Sequence, residues 1–484
     1  MTSTGIWMLL ALAGLVVLTG LPVWSLLTGV ATAFALAGLA TGTFDGAILQ
    51  ALAPRIVNLL DHDLLQAMPL YVLVGVLLQW LPVADALYSL AARVFARTGA
   101  APSLSSLAVG TLIAPMNGSV ASSSALLSRL VAPRLASLPP VRAVVLMSAA
   151  ATIGVVVPPS LVLILLGDAM LRAHTEASNL PGFALGTQRI INTQDVLHAA
   201  LLPAIAVLLL WAALAWFQGR STPARMDAEP AAPSRQWMGL AAIATIAFLL
   251  GGVFTGRLFA VEAAAAGGCL LVVLALATRA LDWPAWRAVL METLALSGAL
   301  FALLVGATTF SLVFRLFGTD IWLSQLVLNS HLPPLATAGL VLLLVALCAW
   351  VLDAFEMIFV IIPIVAPLLI LQLGDAQQAA VLLLLVLQLS FLVPPLGYAL
   401  LMTRSNSGLP AVPTAALLTA LLPFLGMIAL VAVTVFAWPR SVHWLDAPTP
   451  AQGPGSAENP PSDEEVVRQM KEMATPPPEP GDAK

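Results

Sequence analysis

Lysine is missing from the first 470 residues of this 484-residue chain, and charged side chains of any kind make up only 9% of it. Ordinary soluble domains carry about a quarter charged residues. With 60% of the chain hydrophobic, a soluble globular fold is excluded, and an all-α polytopic membrane protein is expected. Cysteine is scarce too. Cys269 and Cys348 are the only two, both in apolar runs without a nearby His or Cys, so they are expected to be packing residues rather than parts of a disulfide or metal framework. Neither an H-E-x-x-H metal helix nor a G-x-S-x-G elbow occurs, and the serine cluster near residue 120 has no histidine base close in sequence. Those absences argue against an intramembrane enzyme. The first basic residue is Arg55. A secretory signal needs a positive start, so Ile6–Leu18 is expected to be a retained helix.

What is present is a duplicated order. Apolar runs predict helices at 6–18, 23–39 and 66–80, and an amphipathic arm at 84–97. A polar-interrupted unit follows at 103–133, then a long segment at 141–170 broken midway, a polar loop at 171–195 and a helix at 197–217. The link 218–236, with Arg220, Arg225 and Arg235, marks the middle. The second half reads 237–254, 259–278, 289–313, an amphipathic piece at 319–329, a polar-interrupted unit at 334–373, a broken segment at 379–402 and a closing helix at 415–438. From Ser441 onward the chain turns Pro- and Glu-rich. Eight acids against three bases give that tail −5, within a chain total of −4, so it is expected to be a disordered, solvated end.

The interruptions are where chemistry is expected. Asn117, Gly118, Ser119, Ser122, Ser123 and Ser124 place small polar groups inside an apolar unit, and Pro158, Pro159 and Ser160 break the next one. Unpaired backbone in hydrocarbon costs several kcal/mol per group, so it is tolerated only where protein or a watery cavity covers it. Each proline removes an N–H and strips a hydrogen bond from the preceding turn. The freed carbonyls can serve a desolvated cation, and paired interruptions in two halves point to a transporter's binding site. A kink with small residues for close helix packing accounts for the same residues without any ligand. In the second half Asp353 and Glu356, at i and i+3, share a helix face. Intramembrane acids are functional candidates by default, with helix capping or an interfacial place as the plainer account. Asp168 reads as interfacial, and His62 and His174 as solvated loop residues.

If each half has five crossings plus a hairpin that returns to its own side, the halves are inverted. A cytoplasmic central link then leaves eleven arginines inside and six outside: Arg55, Arg172, Arg189, Arg257, Arg315 and Arg440. That is the expected inside-positive bias, and it places both termini outside.

Four stretches in this order resemble a known family: NGSVASSSALL, ATIGVVVPPSLVLILLGD, LDAFEMIFVIIPIVAPLL and LQLSFLVPPLGYALL. They are similar to the large membrane subunit of tripartite ATP-independent periplasmic (TRAP) transporters, the DctM-like family, in the branch labelled for mannitol or chloroaromatic compounds. The resemblance spans roughly Ile6 to Pro439. It implies an elevator-type secondary transporter of the ion-transporter-superfamily kind, with two inverted repeats, each of about five transmembrane helices, one re-entrant hairpin and one Pro-Pro-broken helix. The permease would occupy 1–440 (repeats about 5–218 and 237–440, joined by a cytoplasmic linker, 219–236), and 441–484 would be the tail.

The resemblance further implies sodium-coupled import of a small organic acid or related polar solute across a bacterial inner membrane, without ATP. A periplasmic binding protein delivers the ligand, and a small four-helix membrane subunit braces the scaffold; no room precedes the first helix here, so that subunit is expected as a separate chain. Carried over by position, Asn117, Gly118, Ser119, Ser122 and Ser123 form the first hairpin tip, facing Gly154, Pro158, Pro159 and Ser160. Asp353 and Glu356 lie in the second hairpin, facing Ser390, Val393, Pro394 and Pro395. Sodium prefers oxygen ligands, for which Ser119, Val157, Ser160, Asp353 and Val393 are the candidates. The family pattern leads one to expect Thr where Val393 stands, so one oxygen is missing there. A stand-alone sodium-coupled anion symporter of related fold is the alternative.

Overall fold

The computed structural model of the chain describes residues 4–46, 50–61, 63–117, 119–136, 138–158, 160–180, 191–220, 233–329 and 332–446. Gly118, Pro159, His62, most of the central linker and the tail beyond 446 lie outside the described residues. Residues Met1–Trp444 make up one compact unit. Its first half comprises α1 (Thr4–Thr19), α2 (Val23–Ala40), α3 (Leu52–Leu60), α4 (Asp63–Trp80), α5 (Val83–Val94), α6 (Ala101–Asn117), α7 (Val120–Val131), α8 (Pro140–Val156), α9 (Leu161–Ser178) and α10 (Thr193–Gly219). The second comprises α11 (Pro233–Phe254), α12 (Ala260–Thr278), α13 (Trp283–Leu316), α14 (Thr319–Leu328), α15 (Pro334–Cys348), α16 (Ala354–Leu373), α17 (Ala376–Ser390), α18 (Tyr398–Asn406) and α19 (Thr414–Ala437). Among the described residues no strand occurs.

Six of these helices are long and apolar enough to cross a membrane, or eight if each bent pair, α3 with α4 and α8 with α9, counts as one span. Shorter apolar helices, with α1, α6, α11, α15 and α17 among them, fall below that length.

Three expectations need correction. First, α3 is a helix the hydropathy pattern did not reveal, because Pro54, Arg55 and Asn58 interrupt its apolar residues and Leu59 alone is buried. Second, the loop expected from Leu171 is helical to Ser178. Asp168, Arg172 and Glu176 recur every fourth residue, so they line one helix face, and His174 and Asp168 are buried. Third, Cys269 is exposed and only Cys348 is partly covered.

Glycine contacts fix how the first polar unit folds. A Cβ on Gly110 would lie 2.7 Å from the Ala150 carbonyl oxygen, and one on Gly154 would lie 2.5 Å from the Ala114 backbone. Residue numbers rise together on both helices, so α6 and α8 run parallel in close backbone contact. The chain between them must therefore turn back, and α7 is the returning arm of a hairpin whose tip is 117–119. Gly154 owes its identity to this helix crossing.

A second set of contacts orders the rest. One cavity is lined by Leu165 on α9 beside Ile358 on α16, and the next by Asn179 and Leu180 beside Pro367 and Leu368. Helices α9 and α16 thus run parallel, and Asp353, at the start of α16, lies level with the break ahead of α9. The packing is reciprocal: α9 rests on α16, and α18 on α7. The last helices of the two halves are tied by Trp211 on α10, fully buried, whose indole N–H donates to the Phe424 carbonyl at 3.2 Å. A buried indole needs such a partner.

Replacing Gly154 by Leu should lower stability by about 1–3 kcal/mol or more, as overpacking does. Gly298→Leu, with nothing within 4 Å of its Cβ, should not. Thermal unfolding midpoints of the two variants in detergent check the contrast.

Candidate functional site

Each interruption begins a helix, and each beginning needs a cap. Ser119 is the N-cap of α7, with its hydroxyl 3.5 Å from the Ser122 N–H. Ser160 caps α9, accepting from the Leu163 N–H at 3.1 Å. Asp353 caps α16: its Oδ1 accepts from the Ala354 N–H at 2.8 Å, while the Glu356 carboxylate accepts from the Asp353 N–H at 3.1 Å. That reciprocal box pairs donors at a helix start that would otherwise be orphaned. It also places two carboxylates at the positive end of the helix dipole.

The two hairpin tips touch. The Ser119 hydroxyl donates to Oδ2 of Asp353 at 3.1 Å, across 234 residues of sequence. Ser119, Asp353 and Glu356 are all half-buried. Tyr398, at the start of α18, lies within electrostatic reach of both acids, which brings the second proline break to the same place. The residues expected to meet from the two halves therefore do so in part: Ser119 and Asp353 are in contact, with Glu356 and Tyr398 around them.

The others fall as follows. Asn117 ends α6. Ser122 accepts at 2.6 Å from the side-chain N–H of Gln79 on α4. The hydroxyls of Ser123 on α7 and Ser390 on α17 are buried with no partner among the described residues. Pro158 and Pro394 are buried, Val157 and Val393 partly covered, and Pro395 exposed.

The two breaks differ in what they leave free. At the first, no described N–H reaches the Val157 carbonyl, because the chain turns extended at Val157 and the next helix starts afresh at Leu161. At the second, Val393 N–H bonds the Ser390 carbonyl at 3.2 Å, Gly397 N–H bonds that of Val393 at 2.9 Å, and Ala399 N–H bonds that of Phe391 at 3.1 Å. The Val393 carbonyl, expected to be free, is thus already paired. Gly397 is required by this turn, because a Cβ there would sit 2.8 Å from the Val393 oxygen. Gly397, Tyr398 and Gln79 were not singled out from the sequence. A GY pair directly after PPL was the available signal for the first two; nothing local marks Gln79.

The stretch that holds these interruptions belongs to a known family: residues 8–440 match the model for "Tripartite ATP-independent periplasmic transporter, DctM component". The chain belongs to the DctM family. A DctM-family protein is the membrane component of a TRAP transporter, and this one is accordingly a multi-pass, all-α transporter component. Its fold is shared with two solved transporters. The YdaH transporter of Alcanivorax borkumensis aligns with a TM-score of 0.54 at 18% identity, covering 82% of this chain and 90% of that one. MtrF of Neisseria gonorrhoeae, described with a class of antimetabolite efflux pumps, aligns with a TM-score of 0.51 at 13% identity, covering 82% and 83%. No curated protein matches the chain.

Asparagine caps a helix as well as aspartate does, whereas alanine costs about 1 kcal/mol. Asp353→Asn should therefore keep the thermal midpoint of the purified protein, and Asp353→Ala should lower it. Equal losses in both would show that the charge, rather than the cap, holds the tip.

Proposed function

We propose that this DctM-family chain imports a small organic acid, or a related polar solute, together with sodium. The ligand would be handed over outside a bacterial inner membrane by a soluble binding protein, and a separate four-helix membrane subunit would brace the scaffold. The carrying observation is the 3.1 Å bond between Ser119 and Asp353, which joins two hairpin tips level with a break where no described N–H reaches the Val157 carbonyl. Sodium is hard and takes oxygen ligands. A carbonyl, a serine hydroxyl and one carboxylate supply oxygens without caging the ion in permanent charge, so it can leave again. Half-helix N-termini at the same level favour an anionic ligand.

Domain roles follow in the same reading. Residues 1–440 form two inverted repeats (about 5–218 and 237–440) around a cytoplasmic link, 219–236, and both termini lie outside. The hairpins α6–α7 and α15–α16 with the broken pairs α8–α9 and α17–α18 form the moving body. Helices α2, α4, α12 and α13, which pack on one another, form the static one. The driving force is the ion gradient and not ATP. Neither fold neighbour fixes direction, since the work on MtrF concerns efflux pumps.

Reconstituted with its two partners under an inward sodium gradient, the protein should accumulate the ligand of its binding protein, and replacement of sodium by choline should abolish uptake. Uptake that persists in choline removes the coupling. Uptake that persists when both partners are omitted favours the stand-alone symporter instead. Ser119→Leu should insert with only the modest loss of stability that a missing cap brings, about 1 kcal/mol, yet transport nothing; normal uptake by that variant would discredit the tip-to-tip site.

A further inference from the structure

Away from the hairpin tips, a charged cleft runs between α9, α13, α16 and the short helix α3. Two adjoining cavities of about 160 and 280 Å³ share Glu176, Ser311, Arg315 and Pro363. Lining residues advance together on three helices: Leu165 to Glu176 on α9, with Asn179 and Leu180 just past its end, Leu304 to Arg315 on α13, and Ile358 to Leu368 on α16. At 1.5 Å per residue the α9 stretch is roughly 16 Å long. Its inner end lies one turn beyond Ser160 and two residues beyond Glu356, so the cleft leads toward the tips.

The charges in the inner cavity are unequal. Arg55, Arg172 and Arg315 line it against Asp168 and Glu176. Arg172 pairs with Asp168 at 3.0 Å, and Arg315 on α13 pairs with Glu176 on α9. Arg55 has no ion-pair partner among the described residues, though it feels both Arg315 and Glu176. One guanidinium is therefore left over. The second cavity adds Asp320, so the positive excess belongs to the inner part, beside Thr308. These three arginines are among the six that charge bias places outside the membrane's cytoplasmic face.

We propose that this inner cavity is an anion-receiving subsite, in which Arg55 holds the carboxylate of an incoming organic anion before it reaches the hairpin tips. A lone guanidinium beside two committed pairs offers bidentate donors that match a carboxylate. The two committed pairs are close to neutral as units and do not compete for the ligand, so the excess positive potential is that of Arg55. Confinement between low-dielectric helix walls strengthens that field relative to open water. The proposal rests on the anion-import reading above, but its test requires no transport.

In the purified protein, with Cys269 and Cys348 replaced by Ser, a single thiol at Thr308→Cys reports the field. It is labelled by two methanethiosulfonates of equal reach, one carrying a sulfonate and one a trimethylammonium group, and each rate is divided by that with free 2-mercaptoethanol. The normalised sulfonate-to-ammonium ratio should exceed one. It should fall by about threefold in Arg55→Gln, stay in Arg55→Lys and rise in Glu176→Gln. Succinate at matched ionic strength should slow labelling, and Arg55→Gln should remove that protection. A ratio at or below one, a ratio indifferent to Arg55→Gln, or no protection by succinate would each overturn the proposal. Labelling needs neither sodium nor partner subunits, so a negative result here is separate from a failure of sodium-driven uptake.

Discussion

A polypeptide interrupted inside hydrocarbon must cover every amide it unpairs, and that constraint organises this molecule. At each interruption the chain restarts a helix, whose first N–H groups have no partner within it. The restarts at Ser119, Ser160 and Asp353 each meet the demand with their own side chain. The restart at Gly397 meets it with a tight backbone turn. Protein then covers the remainder: α7 is held against α8 and α18, and α16 against α9. The reciprocal contacts mean that neither half can bury its own breaks unaided.

The Ser119–Asp353 bond shows how much one group is asked to do. Asp353 divides its two carboxylate oxygens between its own helix and the other hairpin. Ser119 gives its proton to Asp353 while its lone pairs face the start of α7. A cap confined to its own helix would leave the tips independent. Here, a change at one tip alters the hydrogen bonding of the other. An ion that competed for the Asp353 oxygens, as proposed above, would act on both hairpins at once, the kind of differential contact a binding-driven conformational change requires.

Much of this was legible before any coordinates. The all-α membrane class followed from the scarcity of charge, and the helix breaks from prolines whose missing N–H groups have no remedy within a helix. The serine run and the Asp353–Glu356 spacing marked two tips because polar groups are costly in hydrocarbon wherever they occur. What stayed hidden depended on neighbours far along the chain. Gln79 looks like any helix-end glutamine until Ser122 is placed 2.6 Å from it. The Val393 carbonyl seemed free by analogy with Val157, yet three more residues of turn allow Gly397 to pair it. Arg172 and Glu176 read as part of a polar loop because the partner of Glu176, Arg315, lies 139 residues away. Hydropathy sees charge but not the helix it faces.

That last group raises a question of materials. The face between α9 and α13 carries ion pairs and cavities, whereas α6 against α8 is closed by glycine and alanine with backbones in contact. Close backbone packing loses contacts as soon as it separates, and dispersion falls steeply with a small gap. An ion pair in a partly wet cleft behaves differently: each charge regains water when the partners part, so separation costs little. A seam meant to stay shut is better built the first way, and one meant to open and close the second. On the two-body reading proposed above, α6, α7, α8 and α18 would travel together, and the parting surface would run along α9 and α16 where they face α13, with Arg315 and Glu176 bridging it.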